Sequence, residues 1–232
     1  HEKMEKKVLD ESSAVVAVSP LVRQEFREMT STPVELITNG FDECDCNPEG
    51  SRDAAGGPDK DFIITHTGLF AADGNPTVLW EVLKEKCNRN EDFRKHLKIE
   101  LIGKTDRQIT EALDAAGLSE NAVNLGYLPH SEAVGHQRNA SVLILPLRKE
   151  PEYKAVLPGK LFEYIASCRP VLGIGQPDGA MAMIVKETNT GVVFDWEDRK
   201  SLTEYIDRCW ERHTEGSLTV EGADLKRFTR KE

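Results

Sequence analysis

Residues 157–175, LPGKLFEYIASCRPVLGIG, decide the fold of this 232-residue chain. Apolar residues recur at helical spacing from Leu161 to Ala166, and Pro170 then directs the chain into a β-rich run, Val171 to Ile174. The stretch therefore predicts a loop, an amphipathic helix and a buried strand in succession. Such an αβ unit is the building block of a doubly wound sheet.

The start of this predicted helix suits a phosphate group. Pro158 and Gly159 leave the first backbone N–H groups of the helix unpaired at the positive end of its dipole, and Lys160 adds a full charge. Glu163, one turn further on, offers a carboxylate to the vicinal hydroxyls of a sugar. We interpret the stretch as binding a diphosphate first and a ribose second. The alternative is an ordinary αβ unit in which Glu163 is a solvated first-turn charge.

The composition excludes two broad classes of partner. A net charge of −10 and a pI near 5.2 argue against nucleic acid and against an anionic membrane surface, because both need an extended basic face. An anionic ligand must instead meet a local cluster of cations, and the sequence offers one in Arg148, Lys149, Lys154 and Lys160. The alternative for this cluster is a solvated loop with ordinary charges.

The cysteines and the N-terminal residues bear on where the protein lies in the cell. Five cysteines, an odd number without repeated spacing, indicate reduced thiols and a cytoplasmic protein. Cys44 and Cys46 have no second cysteine or histidine pair at zinc spacing, so we predict no metal site. The chain opens with a charged amphipathic helix, Glu2 to Glu11, without a signal peptide or an initiator Met, and we expect it to be a piece of a longer protein.

Two sections precede the first strand of the main α/β pattern. Up to residue 40, we predict a strand at 14–18, a helix from Ser19 to about Met29, a strand at 34–37 and a sharp turn at Asn39-Gly40. Residues 42–61 are rich in Gly, Pro, Asp and Ala and have no large apolar side chains, so we predict a linker or surface loop there.

From residue 62 onward, strands and helices alternate without a break. This alternation predicts an α/β fold with a doubly wound, Rossmann-like parallel sheet and helices on both faces. The predicted strands are 62–65, 97–102, 122–125, 141–146, 171–174 and 191–194, and the further predicted helices are 76–88, 106–116, 131–139, 177–187 and 198–212. The polar tail, 216–232, is expected to be frayed, or helical only against a partner domain.

Ligands of such sheets bind outside the carboxyl ends of the strands. Gly68 and Leu69 follow the first strand of the alternating pattern and Lys104 follows the second, so we predict that they contact the diphosphate. The alternatives are a plain turn at Gly68 and a surface lysine at Lys104. The long loop 147–158 carries Arg148 to the same edge, and loops of that length tend to be functional.

Five segments occur in an order that resembles glycosyltransferases of the GT-B fold. They are VSP…NGFD, THTGLF, GYLPH, the LILP strand and PGKLFEYIASCRPV, which together span Val18 to Val171. Their order carries the likeness more than any one of them. The chain is similar in particular to the C-terminal donor-binding domain of the large retaining family four, the glycosyl transferases group 1.

The resemblance assigns roles to individual residues. It implies that Glu163 binds the ribose and that Tyr127 and Leu128 contact the base. From the strand ends, the basic loop and the resemblance together, the residues predicted at the donor diphosphate are Gly68, Leu69, Lys104, Arg148, Leu157, Pro158, Gly159, Lys160 and Leu161. The implied sections are 1–40 as the end of the acceptor-side domain, 41–61 as a linker and 62–232 as the donor-binding domain.

The implied activity is transfer of a sugar from a nucleoside diphosphate to a hydroxyl of a glycan, a lipid or a small molecule. Backbone N–H groups and Lys160 would hold the charge of the leaving diphosphate, so no metal or cofactor is expected. The catalytic residues are not identified, because in the family the acceptor site and its base belong to the preceding domain. That domain is the expected partner and the route to any peripheral membrane contact. We therefore expect donor binding without turnover by this chain alone.

Two departures from the family pattern keep other functions open. The segment AADGNP, 71–76, replaces a basic residue that follows the glycine turn, and Ala155 stands where the family has a glutamate near the donor sugar. Retention of stereochemistry is therefore undetermined. The alternatives are a nucleotide-sugar epimerase of the same fold and a catalytically inactive nucleotide-binding or interaction module.

Overall fold

The structure is a computed structural model that describes residues 2–42, 57, 60–220, 222 and 225–230. Most of the predicted linker, including Cys44 and Cys46, lies outside these residues. The helices are α1 Glu2–Glu11, α2 Pro20–Met29, α3 Thr77–Arg89, α4 Glu91–His96, α5 Arg107–Ala115, α6 His130–Asn139, α7 Gly159–Ala166, α8 Ala180–Glu187 and α9 Arg199–Thr214. The strands are β1 Val15–Ala17, β2 Val34–Leu36, β3 Phe62–Thr67, β4 Leu97–Ile102, β5 Ala122–Gly126, β6 Val142–Pro146, β7 Val171–Ile174 and β8 Gly191–Phe194.

The main sheet has six parallel strands in the order β5-β4-β3-β6-β7-β8. The strand order reverses between β3 and β6, and helices connect successive strands, which is the doubly wound architecture predicted from the alternating pattern. The three central strands, β3, β6 and β7, are almost wholly buried because parallel sheets are covered on both faces. A separate two-stranded parallel sheet joins β1 and β2.

The sequence patterns miss one helix. Helix α4 has six residues, too few to show a helical period. It forms because the Asn90 side chain accepts a hydrogen bond from the Phe93 N–H at 2.9 Å and the Phe93 ring is fully buried. The pattern also leaves β3 two residues short, since His66 and Thr67 are polar although both are buried.

Two further predictions are corrected where the chain leaves the small sheet. Asn39-Gly40 was predicted as a sharp turn, but the segment runs alongside the C-terminal residues, and Phe41 N–H donates to the Phe228 carbonyl at 2.9 Å. A Cβ at Gly40 would overlap that carbonyl oxygen, so the glycine is needed for close approach. The tail is docked here: Phe228 is 5% exposed and its ring lies 5.4 Å from that of Phe162.

We expect Gly191→Ala to lower the free energy of unfolding by about 1–3 kcal/mol, because its Cβ would overlap the carbonyl oxygen of Val171 in the neighbouring strand. The matched control is Gly135→Ala in α6, where no atom lies within 4 Å of the new Cβ. That substitution should stabilise the chain by about 0.5–1 kcal/mol. Urea unfolding of both variants measures the difference, and equal stabilities would contradict the close strand approach.

Candidate functional site

Strands β3 and β6 separate at the point where the strand order reverses. Their paired residues end at Thr65 and Leu143. Beyond that pair, the Thr67 N–H donates to the Tyr164 hydroxyl at 2.8 Å instead of to the next strand. Tyr164 is fully buried, and burial raises the pKa of its hydroxyl to about 12, so the group stays protonated. A side chain of α7 thus takes the place of a strand partner and leaves a crevice above it.

A cavity of about 210 Å³ lies at this crevice. It is bounded by the end of β3, the end of β6, the loop after each and the start of α7. The lining residues are His66, Leu69, Phe70, Ala71, Asp73, Gly74, Leu145, Pro146, Leu147, Arg148, Tyr153, Val156, Pro158 and Lys160. The topology therefore forms a cavity where open parallel sheets bind ligands.

The start of α7 faces this cavity without a cap. Pro158 occupies the N-cap position and offers no side-chain cap, and the first turn carries no acidic residue. Gly159 is exposed, and no atom lies within 4 Å of where its Cβ would be. Leu157 is buried just before the helix and fixes the approach of the loop. The positive end of the helix dipole is therefore open to an anion.

Lys160 extends from this helix start to the end of β3. A Cβ at Gly68 would lie 2.8 Å from the Lys160 Nζ, so the ammonium group rests against the glycine. Gly68 has φ +91°, a conformation that residues with side chains rarely adopt. Burial lowers the pKa of Lys160 to about 8, and the nearby Glu163 opposes that shift.

Glu163 is held by a buried amide. Gln137, 2% exposed, donates from Nε2 to the Glu163 Oε2 at 3.2 Å and to the Thr67 Oγ1 at 3.0 Å. Within the described part of the chain, no hydrogen bond is made to the other carboxylate oxygen of Glu163. The carboxylate is therefore fixed by one oxygen and leaves the second for a hydroxyl donor.

The backbone N–H groups of Gly68 and Leu161 already have partners within the protein. The Gly68 N–H donates to the Ile102 carbonyl at 2.7 Å, and the Leu161 N–H donates to the Pro158 carbonyl at 3.0 Å. The Gly68 N–H is therefore not free to donate to a phosphate, and the roles of Gly68 and Leu161 at the diphosphate stay predictions. Leu69, by contrast, lines the cavity and is 62% exposed.

The predicted cluster of four cations is also divided. Arg148 lines the cavity, but its Nε donates to the Asp73 carboxylate at 2.8 Å, and the guanidinium lies over the Tyr153 ring. Lys149 and Lys154 form ion pairs with carboxylates that do not line the cavity. Lys160 is therefore the lysine of the cluster that the structure brings to the cavity.

The remaining predicted residues lie along the same sheet edge but outside the cavity. Lys104, after β4, is exposed. Tyr127 and Leu128 follow the edge strand β5, where Tyr127 is 89% exposed and Leu128 half-buried. The loops after β4 and β5 are joined by a hydrogen bond from the Gly103 N–H to the Gly126 carbonyl at 2.6 Å.

The cavity also contains a histidine that was not predicted. His66 is 2% exposed, and its Nδ1 is enclosed without a hydrogen-bond partner. Its ring stacks on Phe70 with centroids 4.1 Å apart. Burial, with a smaller contribution from Lys160, holds the pKa of His66 well below its ordinary value. A lone histidine inside an apolar strand gives no motif, and its only signal is its position two residues before Gly68.

Two properties of the described residues bear on the kind of site. They contain no group of three or more His, Cys, Asp or Glu side chains placed to hold a metal ion. None of the helices in this part of the chain is both long enough and apolar enough to cross a bilayer.

Comparison with known proteins gives one family and several structures. A family model described as glycosyl transferases group 1 matches residues 61–212. Sucrose-phosphate synthase from Thermosynechococcus elongatus is 18% identical, with a TM-score of 0.70 over 99% of this chain and 58% of that one. HepE from Anabaena, in complex with UDP-glucose, is 15% identical, with a TM-score of 0.68 over 98% and 63%.

WaaG, a glycosyltransferase involved in lipopolysaccharide biosynthesis, is 15% identical, with a TM-score of 0.65 over 87% of this chain and 55% of that one. The chain therefore spans 55% to 63% of the length of these three structures. At these identities the likeness establishes the fold. A comparison with curated proteins produced no match.

We expect Tyr164→Phe to lower the free energy of unfolding by about 1–3 kcal/mol, because the buried Thr67 N–H loses the hydroxyl that accepts its hydrogen bond. Tyr127→Phe is the matched control, since that side chain is 89% exposed. Chemical denaturation measures both variants. Equal stability of Tyr164→Phe and the unsubstituted chain would show that the hydroxyl does not hold the end of β3 to α7.

Proposed function

The chain belongs to the glycosyl transferases group 1 family, and from this premise we propose that it binds a nucleoside-diphosphate sugar and supplies the donor half of a glycosyl transfer. The observation that carries the proposal is the arrangement at the crevice. Lys160 rests against Gly68 at an uncapped helix start, and Glu163 lies one turn away with its carboxylate already oriented.

The diphosphate would lie at the start of α7. Free N–H groups at Gly159 and Lys160, the helix dipole and the Lys160 ammonium all favour negative charge at that point. Leu69 and Pro158 would border it from the two loops, and Arg148 is close enough to line the same cavity. In this proposal Arg148 reaches the phosphate only by leaving Asp73.

The nucleoside would extend from the diphosphate along the sheet edge. The free oxygen of Glu163 would accept hydrogen bonds from the ribose hydroxyls. Tyr127 and Leu128, at the end of the edge strand, would contact the base, and Lys104 would stand beside this path. The exposed Tyr127 ring offers a face on which a base can stack.

Transfer breaks the bond between the anomeric carbon and the terminal phosphate oxygen, while an acceptor hydroxyl bonds to that carbon and loses its proton. Negative charge grows on the leaving oxygen, and preorganised donors stabilise it most where they are already fixed. Lys160 and the N–H groups of α7 would provide this stabilisation, so the proposal requires no metal. The acceptor is a glycan, lipid or small-molecule hydroxyl, and its base would come from a preceding domain.

The complex of the similar HepE with UDP-glucose supports a nucleotide sugar as the ligand class. A second candidate is a nucleotide-binding or interaction module without transfer activity. It is favoured by the Asp73–Arg148 ion pair, which neutralises a cation at the cavity, and by Ala155 in place of an acid.

Titration calorimetry with UDP, GDP and ADP tests donor binding. We expect saturable binding of one nucleotide and a loss of roughly 10- to 100-fold in affinity for Glu163→Gln, because two hydrogen bonds to a carboxylate are weakened. Glu152→Gln, on the exposed surface, is the matched control. The 2′-deoxy form of the same nucleotide should show a smaller difference in affinity between the two Glu163 forms, because it keeps only the 3′-hydroxyl as a donor to this side chain. If the unsubstituted chain binds none of the three nucleotides, the proposal fails for this chain.

The affinity of the chain for its nucleotide should fall above pH 8. The free Lys160 has a pKa of about 8, and a bound diphosphate would raise it, so binding takes up a proton once the free lysine is neutral. We expect a constant dissociation constant from pH 7 to 7.5 and a rise of up to about tenfold per pH unit toward pH 9. His66 stays neutral throughout because its pKa is already well below this range.

Lys160→Arg separates this effect from other titrations, because arginine remains charged to pH 9. Its affinity should not vary with pH over this range. The same rise in the dissociation constant for the arginine variant would assign the pH dependence to another group.

A further inference from the structure

We propose that His66 is a further ligand contact at this site, donating a hydrogen bond from its ring to a diphosphate oxygen beside Lys160. The inference rests on the proposed function, since the ligand is the same nucleoside-diphosphate sugar. It adds a neutral donor to a site in which the sequence indicated only lysines, arginines and backbone groups.

The first observation is a buried nitrogen atom without a hydrogen-bond partner. His66 Nδ1 is enclosed, and neither it nor the rest of the ring has a hydrogen-bond partner among the described residues. Buried nitrogen atoms are nearly always paired, because an unpaired one forfeits its bonds to water. Leu or Phe would fill the same volume of a strand without this cost. An unpaired nitrogen is therefore explained best by a partner that arrives with a ligand.

The second observation is where the ring lies. His66 lines the same cavity as Lys160 and Pro158, at the end of β3 beside the separation from β6. One face of the ring is held by Phe70, which is itself 1% exposed and packs against Trp80. The imidazole is therefore held at the wall of the cavity, and a small rotation of the ring is needed to bring the enclosed Nδ1 to a ligand oxygen.

The third observation is the charge state. Burial and the Lys160 ammonium both disfavour a protonated ring, so His66 is neutral near pH 7. A neutral imidazole carries one N–H donor and one acceptor nitrogen. With the proton on Nδ1, the ring can donate to an anionic oxygen without adding a second buried charge next to Lys160. A hydrogen bond to a charged acceptor is among the stronger ones in proteins.

Stability and affinity should change in opposite directions on substitution. His66→Phe keeps an aromatic ring for Phe70 to stack on and removes the unpaired nitrogen. We expect its thermal unfolding midpoint to be unchanged or higher by about 3 °C, and its affinity for the nucleotide to fall roughly tenfold or more. His66→Asn supplies an amide donor near the position of Nδ1 and should recover most of the affinity.

Calorimetry with whichever of UDP, GDP and ADP binds the unsubstituted chain measures the affinities, and calorimetric melting measures the stabilities. A His66→Phe variant that melts several degrees lower and binds with unchanged affinity would show a purely structural histidine and overturn the proposal. Because the unsubstituted chain is titrated first, failure of nucleotide binding itself is recorded separately from failure of the His66 contact.

A second measurement needs no substitution and decides the case if His66→Phe does not fold. Two-bond ¹H–¹⁵N correlation spectra report the tautomer and charge of each of the six histidines. We expect the His66 ring to remain neutral, with the proton on Nδ1, and its Nδ1 resonance to shift when the nucleotide is added to saturation. Unchanged His66 resonances at saturation would overturn the proposal.

Discussion

The separation of β3 from β6 is the constraint on which the rest of the site depends. Two adjacent parallel strands stop pairing after Thr65, and the next free backbone N–H is satisfied by the Tyr164 hydroxyl of α7. That single contact ties the helix to the strand end and sets the position of the helix start. Lys160 and Glu163, which lie on the same helix, are thereby placed over Gly68 and against Gln137.

Charge is distributed unevenly in this molecule, and this distribution leaves a positive side chain at the crevice of an acidic chain. The chain has a net charge of −10, yet a half-buried lysine, Lys160, lies at the crevice. Glu163, one turn away, favours the charged form of this lysine. The neighbouring Lys149 and Lys154 form ion pairs elsewhere. Most buried polar groups are paired, whereas the start of α7 and the His66 ring are not. A polar ligand in this cavity would give these unpaired groups hydrogen-bond partners.

The sequence predicted those features that depend on local pattern. Strands β4, β7 and β8 have the predicted bounds because their apolar runs are continuous and bounded by turn residues. The ion pair between Arg148 and Asp73, the docking of Phe228 and the amide contact from Gln137 to Glu163 each join residues at least 26 positions apart, and no local pattern encodes them. The role of Glu163 remains a prediction, now with a structural reason for its orientation.

The most direct test of this nucleotide site is a crystal structure of the chain with its preferred nucleotide at saturating concentration. We predict the diphosphate against the first N–H groups of α7 and the Lys160 ammonium, with the ribose hydroxyls on the free oxygen of Glu163. A nucleotide bound elsewhere on the chain, with this crevice empty, would contradict it.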